Sequence, residues 1–155
     1  MRKGSILIES IVGISIAVMA MAGIFGLLSQ SIAINKNITQ KLVATYLAAE
    51  GIEAIRGVID INTANGHIWN QGVSAGNYEV AYDTILLPPA ILGDSENPLL
   101  FDGSLGLYQY NGGVETPFRR TVKISEIGSN EIKTISEVLW MERGVQKVVS
   151  LEDHF

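Results

Sequence analysis

The sequence predicts an α+β fold, in which one long N-terminal helix packs on a small antiparallel sheet. Three observations support this prediction: an apolar run over residues 5–28, apolar residues at helical spacing as far as Ile59, and strand-like alternation in residues 118–155. The chain has 155 residues, which corresponds to one domain in addition to the N-terminal helix.

The first element is an apolar helix over residues 5–28. At about 1.5 Å per residue this helix spans roughly 36 Å, which is enough to cross a hydrocarbon core of about 30 Å. Arg2 and Lys3 lie just before it, and basic residues stay on the cytoplasmic side of a membrane. We therefore predict a single-pass transmembrane helix, with its N-terminus in the cytoplasm and the rest of the chain outside.

Glu9 is the only charged residue in this run. On insertion scales an acidic side chain at the centre of a membrane helix costs roughly 2.5–3.5 kcal/mol. Glu9 is thus predicted to have a partner or a function.

The helix is predicted to continue as an amphipathic segment over residues 29–58, ending near Val58. Its apolar residues recur every three or four positions, which is close to the helical period. This stripe is predicted to face the head of the protein, and it comprises Ile34, Ile38, Leu42, Tyr46, Ala49, Ile52, Ile55 and Ile59.

Residues 59–155 are predicted to form a globular, β-rich head. A loop region rich in Gly and Asn extends to Gly76, and turn residues separate the strands that follow. The last three strands are the clearest, and they are predicted to pack on the amphipathic half of the helix. The predicted strands are Tyr78–Tyr82, Leu105–Tyr110, Thr121–Ser125, Ile132–Met141 and Val145–Leu151.

Composition argues against several classes of function. The net charge of −5 is unfavourable for a nucleic-acid-binding surface, and Arg119 and Arg120 would point to opposite faces of a strand. The chain has no Cys, and neither His67 nor His154 has metal-ligand spacing around it. We expect no catalytic residue, no cofactor and no metal. The loop Asp94–Asp102 is rich in oxygen donors, which suit Ca²⁺, but its spacing matches no EF-hand pattern. Whether this loop binds Ca²⁺ stays open.

The N-terminus, with Gly4, Ser5 and Leu7-Ile8-Glu9 at the head of a long apolar helix, resembles the class III signal of type IV pilins and pseudopilins. The resemblance implies that residues 1–4 are a leader, which prepilin peptidase removes by cutting between Gly4 and Ser5. It also implies N-methylation of Ser5 and a role for Glu9 in setting the register between subunits. Ser5 departs from the family, which usually has Phe at this position.

Two further stretches are similar to minor pilins and minor pseudopilins, namely residues 44–56 and residues 138–151. The resemblance implies a pilin-like structural subunit of a type IV pilus or of a type II secretion pseudopilus. Its expected partners are other pilin-like subunits, prepilin peptidase, a membrane assembly platform and membrane lipid. Its expected location is the cytoplasmic (inner) membrane, and then the pilus or pseudopilus.

Within residues 44–56, the small residues and Gly51 are predicted to let another surface approach closely. Glu50 and Glu53 are candidate partners of Arg56, and only Glu53 has the helical spacing of three that lets the two side chains meet.

Three alternatives remain. Ala20-Met21-Ala22 fits an ordinary signal peptidase site, and cleavage near Ala22 would release a soluble exported binding domain. The helix could also be a plain signal anchor in which Glu9 has no role. A membrane-anchored enzyme is the third alternative, although no catalytic motif supports it.

Overall fold

The computed structural model describes residues 3–128 and 130–155, with side chains from Leu7 onward, and it confirms the predicted α+β fold. The chain divides into two compact units, unit 1 (Met1–Gln40) and unit 2 (Lys41–Phe155). The elements are helix α1 (Lys3–Ala64) and strands β1 (Gly76–Tyr78), β2 (Leu100–Asp102), β3 (Leu107–Gln109), β4 (Val114–Glu115), β5 (Arg119–Ile127), β6 (Glu131–Glu142) and β7 (Val145–His154).

Unit 1 is the apolar part of α1. Every large apolar side chain between Leu7 and Leu28 is exposed over more than half of its surface. The most apolar window of the helix has a mean hydropathy of 2.4, and none of that window is buried. A helix that is apolar on all sides needs apolar surroundings. Unit 1 is therefore compatible with a single transmembrane helix, as predicted.

In unit 2 the C-terminal part of α1 packs on a four-stranded antiparallel sheet with the order β1-β5-β6-β7. Two apolar clusters fill the interface. One contains Ile55 and Val58 with Val122 and Ile132, and the other contains Ala44 and Leu47 with Phe118, Val138 and Trp140. The three predicted C-terminal strands are confirmed as the centre and one edge of this sheet.

The predicted apolar stripe is only partly correct. In unit 2, Ile52 and Ile55 are buried as expected, but Leu42, Tyr46 and Ala49 are exposed, Tyr46 over 68% of its surface. The buried face follows Ala44, Ala48, Gly51, Ile55 and Val58 instead. Small residues allow the helix backbone to come close to the sheet, whereas a pattern based on large apolar side chains gives small residues little weight.

The helix also continues past its predicted end near Val58, to Ala64. Gly66 has a φ of 73°, and the amide of His67 donates to the carbonyl of Asn62 at 2.9 Å. This is the hydrogen-bond pattern of a Schellman motif, which ends a helix with glycine in the left-handed conformation. The side chain of Asn62 then holds the following loop by donating to the carbonyls of Trp69 and Gln71.

A second, three-stranded sheet with the order β3-β2-β4 was not predicted. Its strands β2 and β4 have three and two residues, which is too short for an alternating pattern to identify. The predicted strand Tyr78–Tyr82 is wrong for residues 79–82, since β1 ends at Tyr78 and begins earlier, at Gly76. Beyond β1, the carbonyl of Val80 accepts a hydrogen bond from the side chain of Arg120. The predicted strand Leu105–Tyr110 corresponds to the shorter β3.

Arg120 on β5 connects the helix to the sheet. Its guanidinium is fully buried, and Nη1 donates to the carbonyl of Leu47 and to Oε1 of Glu50, both at 2.9 Å. Nη2 donates to the carbonyl of Val80. Arg119, the next residue, is exposed on the opposite face, so the predicted opposite orientation of these two side chains is confirmed.

Gly51 marks the closest approach of α1 to the sheet. A Cβ atom at Gly51 would lie 2.4 Å from Oγ of Ser136, 3.0 Å from Cγ2 of Val122 and 3.1 Å from Cδ of Arg120. We predict that Gly51→Ala destabilises the fold by about 1–3 kcal/mol, because the methyl group overpacks the interface. The measurement is urea unfolding of the full chain in detergent, followed by Trp fluorescence. Gly57→Ala is the matched control.

Gly57 lies in the same helix, and a Cβ atom there meets nothing within 4 Å. Gly57→Ala should therefore stabilise the helix, by up to about 1 kcal/mol. Equal effects of the two substitutions would show that close helix–sheet packing at Gly51 does not matter.

A second prediction concerns the buried guanidinium of Arg120. Glu50→Ala should destabilise the protein by about 3 kcal/mol, because it leaves a buried cation without its counter-charge. The double variant Glu50→Ala/Arg120→Met should be more stable than Glu50→Ala, because it removes that cation as well. Arg56→Met is the control, since Arg56 makes exposed ion pairs that contribute about 1 kcal/mol or less. A double variant no more stable than Glu50→Ala would contradict this account.

Candidate functional site

Glu9 lies on the exposed surface of the apolar helix in unit 1. Its neighbours one turn towards the C-terminus are Val12 and Gly13, which carry no side-chain hydrogen-bond donor. From Leu7 onward, no described side chain forms a hydrogen bond or an ion pair with Glu9. An isolated carboxylate is costly in apolar surroundings, so Glu9 is expected to have a hydrogen-bond donor or a cation as its partner.

The predicted processing site, Gly4 and Ser5, is at the start of α1. The side chains at these two positions lie outside the described part of the structure. Cleavage between Gly4 and Ser5, and N-methylation of Ser5, stay predictions.

The segment 44–56 faces the sheet of its own chain. Sequence reasoning predicted that Gly51 would admit another surface, and in unit 2 that surface is formed by Val122, Ser136 and Arg120. The predicted pair of Glu53 with Arg56 is confirmed at 3.0 Å. The segment therefore contributes to the core of the head.

Glu50 and Arg56 each have a partner that sequence reasoning missed. Glu50 pairs with Arg120, and Arg56 pairs with Asp153 at 2.8 Å. The guanidinium of Arg56 also lies 5.6 Å from the centroid of the Phe155 ring. No local signal could have identified these pairs, because the partners lie 70 or more residues apart in the sequence.

The two acidic residues at the ends of the oxygen-rich loop Asp94–Asp102 have separate partners. Asp94 pairs with Lys123 at 2.9 Å. Asp102 accepts from the hydroxyl and the amide of Ser104, and the hydroxyl hydrogen bond lowers the pKa of Asp102. Within residues 3–128 and 130–155, no group of three or more His, Asp or Glu side chains could hold a metal ion.

A polar cavity of about 470 Å³ lies near this loop and is lined in part by Glu79, Asp83, Tyr110 and Asn111. The carboxylate of Glu79 accepts hydrogen bonds from Ser95 and Asn97. Burial raises the pKa of Tyr110 to about 12, and its hydroxyl donates to the carbonyl of Arg120 at 3.1 Å. Tyr110 therefore stays protonated at neutral pH and serves to hold β5.

The two histidines lie in different environments. His67 is exposed in the loop after α1. Nδ1 of His154 lies 2.6 Å from Glu131, and Nε2 lies 3.2 Å from Glu152. The hydrogen bonds to these two carboxylates raise the pKa of His154, which favours the protonated form at the end of β7. This arrangement joins β6 to β7 at the C-terminus of the chain.

Two surface features of unit 2 were missed by sequence reasoning. The first is the end of the β6–β7 hairpin, Met141–Val148, hereafter the hairpin end, where apolar and basic side chains are exposed together. The second is a groove of about 460 Å³ between α1 and the loop that follows Ala81, hereafter the acidic groove, which contains Glu53 and Asp83. The Arg143-Gly144 turn is a local signal for the hairpin end, but the groove forms only when distant segments come together.

Comparison of this chain with family models, curated proteins and solved structures gave no match. The architecture, with one long apolar N-terminal helix whose C-terminal part packs on an antiparallel sheet, is pilin-like.

Proposed function

We propose that this chain is a pilin-like structural subunit that prepilin peptidase cuts between Gly4 and Ser5. The processed subunit is stored in the cytoplasmic membrane and then extracted into a filament. That filament is a type IV pilus or a type II secretion pseudopilus, in which the subunit is a component or an initiator. The observation that carries the proposal is Glu9, a single carboxylate without a described partner on an exposed apolar helix.

Filament assembly would give Glu9 the partner that it needs. Cutting after Gly4 creates a new amino group on Ser5, four residues before Glu9. When apolar helices of several subunits pack together, the amino group of one can lie beside the Glu9 carboxylate of another. Opposite charges attract strongly in a low-dielectric environment, whereas an unpaired charge stays costly there. The carboxylate thus favours one stagger of the helices, which apolar packing alone does not fix.

The compact head in unit 2 supports a structural role. It closes its own core with two apolar clusters and buries Arg120 with hydrogen-bond partners from its own chain. A head of this kind can remain folded while the apolar helix moves from lipid to a filament, because the described residues of its two apolar clusters all belong to unit 2.

Glu9→Ala tests the proposal directly. We expect the variant to remain in the membrane but to enter filaments at a level at least about tenfold lower, which corresponds to about 1.4 kcal/mol of lost pairing energy. The measurement is the amount of this chain in sheared or secreted filaments relative to the membrane fraction. Ser15→Ala is the matched control, since Ser15 lies in the same helix and its hydroxyl donates to the carbonyl of Ile11.

Mass spectrometry of the N-terminal peptide from native membranes complements this test. A chain that begins at Ser5, with or without a methyl group, is the expected result. A chain that begins near Gly23 would instead support the soluble exported domain. Normal assembly of Glu9→Ala with an uncut leader would overturn the proposal.

A further inference from the structure

The hairpin end is an exposed projection that combines apolar and basic side chains. Met141, Val145 and Val148 are each exposed over more than half of their surface. Arg143 has a φ of 50° and Gly144 a φ of 78°, so a tight two-residue turn holds Arg143 at the tip. Lys147 is exposed beside it. Among the described residues, neither Arg143 nor Lys147 forms an ion pair.

The acidic groove has the opposite charge and a similar apolar character. Glu53 and Asp83 contribute carboxylates. Glu53 pairs with Arg56, whereas Asp83 has no ion-pair partner among the described residues. Ile61, Tyr82 and Ile85 contribute exposed apolar surface, Ile85 over 63% of its area. Open space above Gly57 in the groove leaves room for an inserted side chain.

The hairpin end cannot fill the groove of its own chain. It extends β6 beyond Trp140, which packs in the same cluster as Ala44. The groove instead borders Gly57 and Ile61 of the same helix. From Ala44 to Gly57 the helix advances about 20 Å, which separates the two surfaces. A second copy of the chain can supply the hairpin that one copy cannot supply to itself.

We propose that the hairpin end of one copy docks in the acidic groove of the next copy. Arg143 and Lys147 would face Glu53 and Asp83, while the valines and Met141 cover the apolar wall. Charge complementarity of this kind selects the partner and fixes the register. We infer a heterologous contact, in which the hairpin end and the acidic groove of each copy are filled by two different neighbours, so that the contact repeats from copy to copy. A reciprocal two-fold dimer, in which each hairpin end fills the groove of the other copy, would give linked dimers only. The inference rests on the proposed function, for which it supplies the contact between heads.

Disulfide trapping tests the contact, and the absence of Cys from the chain removes any background. The full-length double variant Ile85→Cys/Val145→Cys is oxidised in native membranes and filaments and run on a non-reducing gel. A heterologous contact should give a ladder of linked multimers, while each single variant stays monomeric. Dimers from either single variant, or no ladder from the double variant, would overturn the proposal.

Leu105→Cys/Val145→Cys is the matched control, since Leu105 is exposed to a similar extent, 59%, but lies outside the groove. This pair should give no ladder. A ladder of equal intensity from the control would mean that trapping reports crowding, and it would also overturn the contact.

A charge swap provides the second test. Arg143→Glu with Lys147→Glu, introduced into the Ile85→Cys/Val145→Cys variant, should weaken the ladder at least about tenfold. Adding Glu53→Lys with Asp83→Lys should restore it. A loss without restoration would contradict the charge pairing. Glu126→Lys is the control, since Glu126 is exposed on β5, outside both the hairpin end and the acidic groove. This variant should leave the ladder unchanged.

The mass of the N-terminal peptide is measured on the same membranes. A chain that begins at Ser5 but gives no ladder would refute the hairpin contact and leave the proposed processing intact. A ladder from a chain that begins near Gly23 would support the contact and refute the proposed function.

Discussion

The head depends on the buried guanidinium of Arg120. A charge removed from water is tolerated only when its donors are satisfied and a counter-charge lies nearby. Nη1 and Nη2 of Arg120 donate to three groups from two parts of the chain: the Leu47 carbonyl and the Glu50 carboxylate on the helix, and the Val80 carbonyl after β1. Nε is buried without a hydrogen-bond partner among the described residues. The helix can therefore occupy only one position along the sheet. In a chain without disulfides, this contact provides specificity that apolar packing lacks.

Gly51 and Arg120 together explain why the predicted face of the helix was displaced. Glu50 must point to Arg120, and the adjacent Gly51 allows the backbone to approach Ser136 closely. These two requirements turn Ala44 and Ala48 inward and leave Leu42 and Tyr46 outside. Sequence periodicity shows that a helix is amphipathic. When apolar residues occupy more than one face of the helix, however, the contacts with the sheet decide which face is buried. The long strands β5, β6 and β7 were predictable, because each has nine or more residues and β6 alternates between buried and partly exposed side chains along most of its length.

Some features of the candidate site could likewise be predicted from the sequence, and others could not. Glu9 could be identified as a candidate from the sequence, because a single carboxylate in an apolar run is unusual and this signal does not depend on the fold of the rest of the chain. The pair of Glu53 with Arg56 was predictable from helical spacing alone. The acidic groove was not predictable, because Glu53 and Asp83 meet only after the loop that follows Ala81 returns to α1. Local chemistry can be read from the sequence, whereas a surface made of distant segments requires the fold.

The two proposed contacts impose different offsets between copies. Pairing of Glu9 with the amino group of Ser5 displaces two helices by four residues, or about 6 Å. Docking of the hairpin end in the acidic groove displaces two heads by about 20 Å along the helix. Because one contact involves unit 1 and the other involves unit 2, an added subunit can form both contacts, with one neighbour or with two. Each added subunit would then form several weak contacts at once, and their combined strength would exceed that of any one contact.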